Sequence, residues 1–155
     1  MQVLVCAVGR LGTAPENQLA RDYLRRASAA GRGLAVHPVE LTEVEPRKPG
    51  KAAEAEVLSL AAGEGAYVIA CDERGRQHPS RALAEKIRTL RDRGERRLVF
   101  LIGGADGLDP ALVERADETL AFGPQTWPHA LARLMLAEQI YRAVTILSGS
   151  PYHRD

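Results

Sequence analysis

Two stretches of the chain constrain its fold more than any other feature. Gln2–Val8 reads QVLVCAV and Leu98–Ile102 reads LVFLI, each a near-unbroken apolar run. A strand with one wet face alternates apolar and polar residues, and these do not alternate. They have the pattern of strands covered on both faces, which is how strands of a parallel sheet are placed between two layers of helices. The rest of the chain must then supply helices on both sides.

It does so in alternation. Thr13 with Glu16 resembles a capping box opening a helix over about Glu16–Ala30. Leu34–Leu41 reads as a second strand, near an edge because Pro38 cannot donate to a ladder. Glu45–Lys51, EPRKPGK, is a Pro/Gly loop with three basic residues and the best candidate for a mobile segment. A short helix over Lys51–Ala62 and a third strand over Ala66–Cys71 follow. Ser80 can cap a helix to about Arg93, with Leu83, Ile87 and Leu90 on one face. Asp109 and Pro110 suit the start of a helix ending near Ala116. Glu118–Phe122 is a last short strand, and a long helix runs from about His129 to Leu147. This order predicts one α/β domain over residues 1–155 with a mainly parallel sheet flanked by helices.

At net charge +1, the chain does not declare a nucleic-acid partner by its overall field. No segment approaches the ~20 apolar residues of a membrane span, and the N-terminus lacks the pattern of a signal peptide. Cys6 and Cys71 lie in separate apolar runs outside any CxxC motif, as buried thiols of a reducing compartment do. A cytoplasmic protein without metal or membrane association is expected.

The last helix carries two apolar stripes. Leu131, Leu134, Met135 and Tyr141 form one, interrupted by Glu138; Leu136, Ile140, Val144 and Leu147 form another on roughly the opposite side. A surface helix of a monomer needs one. Two predict burial against the sheet and against something else, for which a second copy of the chain is the economical candidate. Glu138 then reads best as a paired interface charge.

Three loops follow strands, where α/β sheets bind ligands. The first follows Cys71. The second, GGADGLDP, begins at Gly103 and is neither a P-loop nor GxGxxG. The third is Gly123–His129, with the single tryptophan, Trp127, as core anchor or wall for a flat ligand. His129 is either a local cap or a working group. The chain ends Pro151-Tyr152-His153-Arg154-Asp155. Frayed termini seldom carry a phenol, an imidazole and a guanidinium together. This tail suits a site in which His moves a proton and Arg holds an anion.

LIGGADG at 101–107, WPHALARLMLAEQIYRA at 127–143 and PYHRD at 151–155 closely resemble the small SPOUT methyltransferases that methylate a pseudouridine in large-subunit ribosomal RNA. The likeness extends to VLVCAVGRL and DYLRRA near the start, and so spans the whole chain. It implies a trefoil-knotted α/β fold, against the general rarity of knots, and S-adenosyl-L-methionine as cofactor. The implied cofactor residues are Cys71, Gly103, Phe122, Gly123, Pro124, Gln125, Thr126 and Trp127. The implied substrate is 23S rRNA in the large subunit or assembled ribosome, methylated at N3 of a pseudouridine. The implied partner is a second copy, each tail completing a site near the other's cofactor. Within that frame His153 is the candidate base, with water or hydroxide as alternatives. Arg154 would stabilise negative charge, and Tyr152 would hold the nucleoside. His129, Arg21, Arg25 and Lys48 are candidate RNA contacts, with Arg26, Arg47 and Lys51 as further cations. A cysteine at Cys71 departs from the aliphatic residue expected there. An enzyme for another RNA, a non-catalytic ribosome-binding factor and a flavodoxin-like regulatory domain are the competing expectations.

Overall fold

The computed structural model describes all 155 residues. Five strands form one sheet: β1 (Gln2–Val8), β2 (Val39–Val44), β3 (Tyr67–Cys71), β4 (Arg97–Ile102) and β5 (Glu118–Leu120). The order is β2-β1-β4-β3-β5, and every neighbouring pair is parallel. Five helices cover it: α1 (Pro15–Gly31), α2 (Lys51–Ala62), α3 (Ser80–Asp92), α4 (Pro110–Arg115) and α5 (His129–Ser148).

The two apolar runs behave as their pattern demands. Val3, Val5 and Ala7 of β1 join Leu98, Phe100 and Ile102 of β4 in a core shared with α1, α3 and α5. Leu4, Cys6 and Val8 point the other way and meet Val99 and Leu101 under Ala55, Leu58 and Leu112 of α2 and α4. The pleat sends alternate residues to opposite faces, and both faces are dry. Burial pushes the Cys6 thiol up to about 11, so it is an inert core group. No helix is long and apolar enough to cross a membrane.

Several local expectations need correction. β2 is an edge strand, but it begins at Val39; Arg32–Leu34 is a 3-10 turn and Pro38 precedes the ladder. Val36 is fully buried from the connection, so its apolar character marks packing rather than extension. Thr13 does not cap α1. The cap position is Ala14, with Pro15 opening the helix, and Asn17 and Gln18 reach back to the carbonyls of Gly12 and Thr13. Ser80 is not a cap either: Pro79 holds that position, and the Ser80 hydroxyl donates to Gln139 Oε1 at 2.6 Å. Asp109 does cap α4, accepting from Ala111 N at 2.8 Å. β5 stops at Leu120, two residues short of the expected end.

Candidate active site

In a parallel sheet every strand delivers its following loop to the same edge. β4, β3 and β5 are neighbours, so Cys71, Gly103 and Phe122–Trp127 come together there. The loops are joined to one another. Asp72 N donates to Leu120 O at 2.9 Å and Ala121 N to Arg76 O at 2.9 Å. Thr126 Oγ1 donates to Glu73 Oε2 at 3.0 Å. The chain at Leu120 passes Gly75 so closely that a Cβ there would lie 2.9 Å from Leu120 backbone atoms.

Trp127 is 39% exposed, so it is not a core anchor. Its indole N–H donates to Phe122 O at 3.0 Å and folds the loop onto itself. The backbone N–H groups of Phe122, Gly123, Gln125, Thr126 and Trp127 donate to no other backbone group. A flat apolar ring and free backbone donors therefore line this loop. Burial, with Asp72 adding to it, pushes the Cys71 thiol up to about 12. It remains a neutral thiol and supplies no nucleophile.

A cleft of about 580 Å³ adjoins the same edge, between α1, α5 and the start of α3. Leu19, Tyr23, His78, Phe122, Met135 and Glu138 are among its walls. The C-terminal tail is fastened beside it. Glu138 Oε1 accepts from the Tyr152 hydroxyl at 3.0 Å and from Arg142 Nε and Nη2 at 3.0 and 2.6 Å. The Tyr152 ring meets Tyr141 edge-on at 4.8 Å, and the Arg142 guanidinium lies 4.9 Å from the Tyr152 ring centre. Burial, with hydrogen bonds to Tyr23 and Glu138, holds the Tyr152 phenol above the usual range. His153 lies between Arg142 Nη1, 3.2 Å from Nδ1, and Asp155 Oδ1, 3.1 Å from Nε2. Arg81 grips Asp155 through two nitrogens at 2.7 and 2.5 Å. Arg154 is exposed and has no partner in the chain. Glu138, expected as an interface charge, is thus the anchor of the tail within one protomer.

The candidate RNA contacts are scattered in their commitments. Arg21 pairs with Glu43 at 2.8 Å and Arg25 with Asp22 at 2.6 Å. Arg26 lies 4.3 Å from the Tyr141 ring centre and donates to its hydroxyl. Lys48 is exposed on the loop after β2, and His129 is half-buried at the first position of α5; neither makes a side-chain bond.

Residues 1–153 match the family model described as predicted SPOUT methyltransferase. The chain belongs to the SPOUT methyltransferase family. It is 70% identical to the ribosomal RNA large subunit methyltransferase H of a Caulobacter species, over 100% of both chains. It is 53% identical to the protein of that name from Dinoroseobacter shibae, over 99% of each. Among solved structures, a probable methyltransferase from Bordetella pertussis superposes with a TM-score of 0.55 at 19% identity, covering 92% of this chain and 95% of that one. A probable methylase family protein from Haemophilus influenzae gives 0.54 at 14% identity, covering 99% and 70%. At such identities these two speak to fold alone. The SPOUT fold implies a trefoil knot.

Sequence reasoning passed over several residues around this SPOUT site. Arg133 is 1% exposed, yet it donates to Glu43 at 2.8 Å and to the Val8 and Gly9 carbonyls at 3.3 and 3.0 Å. Its only sequence signal was a charge inside an amphipathic stripe. Arg142, one helical turn beyond Glu138, was visible as an i,i+4 pair. His78 and Glu54 gave no local signal, because their neighbours come from distant segments.

Proposed function

We propose that this SPOUT methyltransferase methylates N3 of a pseudouridine in the 23S rRNA of the large subunit. The methyl donor is S-adenosyl-L-methionine, and the enzyme acts as a cytoplasmic homodimer on assembled ribosomes. Full-length identity of 70% to a relative named for large-subunit ribosomal RNA methylation carries the reading. The residues at the sheet edge fit the donor's adenosine. Trp127 offers a ring for stacking, the 122–127 loop offers backbone donors, and Gly103 lets the loop after β4 fold tightly at the same edge.

When bound, that cofactor supplies an electrophilic methyl group on sulfur. The chain must align the acceptor nitrogen with it and exclude water. It must also remove the imide proton, since neutral N3 has no outward lone pair. His153 is assigned that proton, Arg154 the negative charge developing on the flanking carbonyl oxygens. Tyr152, its hydroxyl held by Glu138, presents its remaining ring surface to the nucleoside.

The hydrogen bonds around His153 set a condition on this role. A guanidinium only donates, so Nδ1 accepts from Arg142 and the ring proton sits on Nε2, facing Asp155. Both nitrogens are then engaged. His153 takes a proton through Nδ1 once its own ring swings off Arg142 Nη1, a movement that leaves the two Arg142 bonds to Glu138 in place.

Methyl transfer from labelled S-adenosyl-L-methionine to ribosomes from a strain lacking this gene, with mapping of the product, tests the whole reading. Label at a single large-subunit pseudouridine is expected; label confined to another RNA overturns the substrate. Arg154→Ala should abolish turnover with cofactor affinity nearly unchanged, as read by calorimetry. Full activity in that variant removes Arg154 from the mechanism.

A further inference from the structure

Glu54 is the half-buried carboxylate that the fold and the proposed chemistry leave unexplained. It lies in the first turn of α2, whose N-terminal end stands at the same sheet edge as the cofactor loops. An acid there gains from the helix dipole, but the side chain is not turned to solvent. It reaches across to the Gly-rich loop after β4. A Cβ built on Gly104 would lie 2.8 Å from Glu54 Oε1 and 3.4 Å from Oε2. Only a glycine lets the carboxylate settle against that backbone.

The contact does not satisfy the carboxylate. Its one hydrogen bond, from Gly104 N, is long at 3.4 Å. Glu54 takes part in none of the ion pairs of the chain. An ionised carboxylate can accept about four hydrogen bonds. A half-buried one holding a single weak bond, beside a loop without a competing cation, is arranged for a donor from outside the chain. A vicinal diol fits two carboxylate oxygens with two parallel O–H donors, the pairing by which dinucleotide-binding folds hold a ribose.

We propose that Glu54 binds the ribose 2′- and 3′-hydroxyls of the methyl donor. The proposal rests on S-adenosyl-L-methionine being the cofactor. It adds a side chain from the opposite sheet face, on α2, to a pocket otherwise made of strand-end loops. Gly103 and Gly104 then have separate tasks. Gly103 lets its own turn close, since a Cβ there would lie 2.6 Å from Gly107 C. Gly104 leaves room for the carboxylate.

Calorimetric titration of the purified full chain with S-adenosylhomocysteine, 5′-methylthioadenosine and their 2′-deoxy analogues tests this. Glu54→Ala should weaken both ribose ligands roughly tenfold to a hundredfold, the effect of losing hydrogen bonds to a charged group. The wild-type preference for ribose over deoxyribose should collapse in that variant. Glu54→Gln, which preserves shape and one accepting oxygen, should fall between. Equal loss for ribose and deoxyribose ligands would mean a merely structural role and overturns the proposal. Loss for S-adenosylhomocysteine with 5′-methylthioadenosine unaffected would assign Glu54 to the amino-acid end and overturns it too. Wild-type protein that binds neither parent ligand overturns the cofactor itself, a result distinct from a variant that binds as wild type does.

Discussion

A methyl group added at Gly103 and one added at Gly104 meet different neighbours, and the difference is measurable. At Gly103 the new atom meets backbone of Gly107 at 2.6 and 2.7 Å and Leu108 N at 2.9 Å. Backbone cannot step aside, so Gly103→Ala should cost about 1–3 kcal/mol of stability and disrupt cofactor binding. At Gly104 it meets the end of a flexible glutamate. Gly104→Ala should therefore melt near wild type while binding S-adenosylhomocysteine more weakly. Equal melting temperatures for the two variants would contradict the assignment. The tail supplies a pH effect at this scale. The Arg81 hydrogen bonds hold the Asp155 carboxyl down at about 2, against an ordinary 3.8. Its folded-state pKa is depressed, so its part in docking the tail is fully present above the ordinary value and fades as pH falls towards about 2. Observed by NMR, the Asp155 signal should titrate near its lowered value, and a midpoint at the ordinary one would mean an undocked tail.

Among the elements, α5 is tied to the sheet by Arg133, and this link was not legible beforehand. The strands were legible because two dry faces leave an unbroken apolar run. The helices were legible because one dry face leaves a period. The start of β2 was misplaced because Leu34 and Val36 are apolar for packing in a connection, which a window of sequence cannot distinguish from a strand. The cap at Thr13 failed because Pro15 opens α1 one residue later, with Ala14 at the cap, and the cap at Ser80 failed because Pro79 holds that position. The three loops at the sheet edge were legible from their place after strands, whereas Glu54 was hidden because Gly104, its neighbour, is fifty residues away. Arg133 joins α5 to the end of β1 and, through Glu43, to β2 and Arg21. Burial works to raise the Glu43 carboxyl, but the Leu11 N–H, Arg133 and Arg21 outweigh it and hold it below the usual range. Arg133→Met should cost about 2–4 kcal/mol in urea denaturation, because it strips a partly buried carboxylate and two carbonyls of a partner. Adding Glu43→Gln should recover part of that loss. A Met variant within about 0.5 kcal/mol of wild type would mean that Arg133 is not a structural tie.

For the molecule as a whole, the two stripes of α5 have different fates. Leu136, Ile140 and Val144 are fully buried, the face turned to the sheet. Leu134 and Met135 remain half-covered along the cleft, and Tyr141 is half-covered beyond it. Leu131 is 37% exposed and Leu19 of α1 45%. Two helices therefore share an incompletely covered apolar surface, continuous with the walls of the cleft. Large apolar patches of this kind mark contact sites, and a homodimer through α1 and α5 is the arrangement proposed here. Such a dimer would bring the cleft, lined by Leu19, Leu134 and Met135 of the same two helices, to the interface, where RNA would meet both protomers at once. That offsets the weak overall field of a chain with net charge +1, because two copies double the local cations available to phosphate. Leu19→Glu with Leu131→Glu should produce a folded monomer by light scattering, since neither side chain is in the sheet core. If the tail completes a site across the interface, that monomer should bind S-adenosylhomocysteine within a few-fold of wild type and transfer no methyl group to ribosomes. A monomer with full turnover would confine the active site to one protomer, and a wild-type chain that is already monomeric would leave the exposed stripe to the ribosome itself.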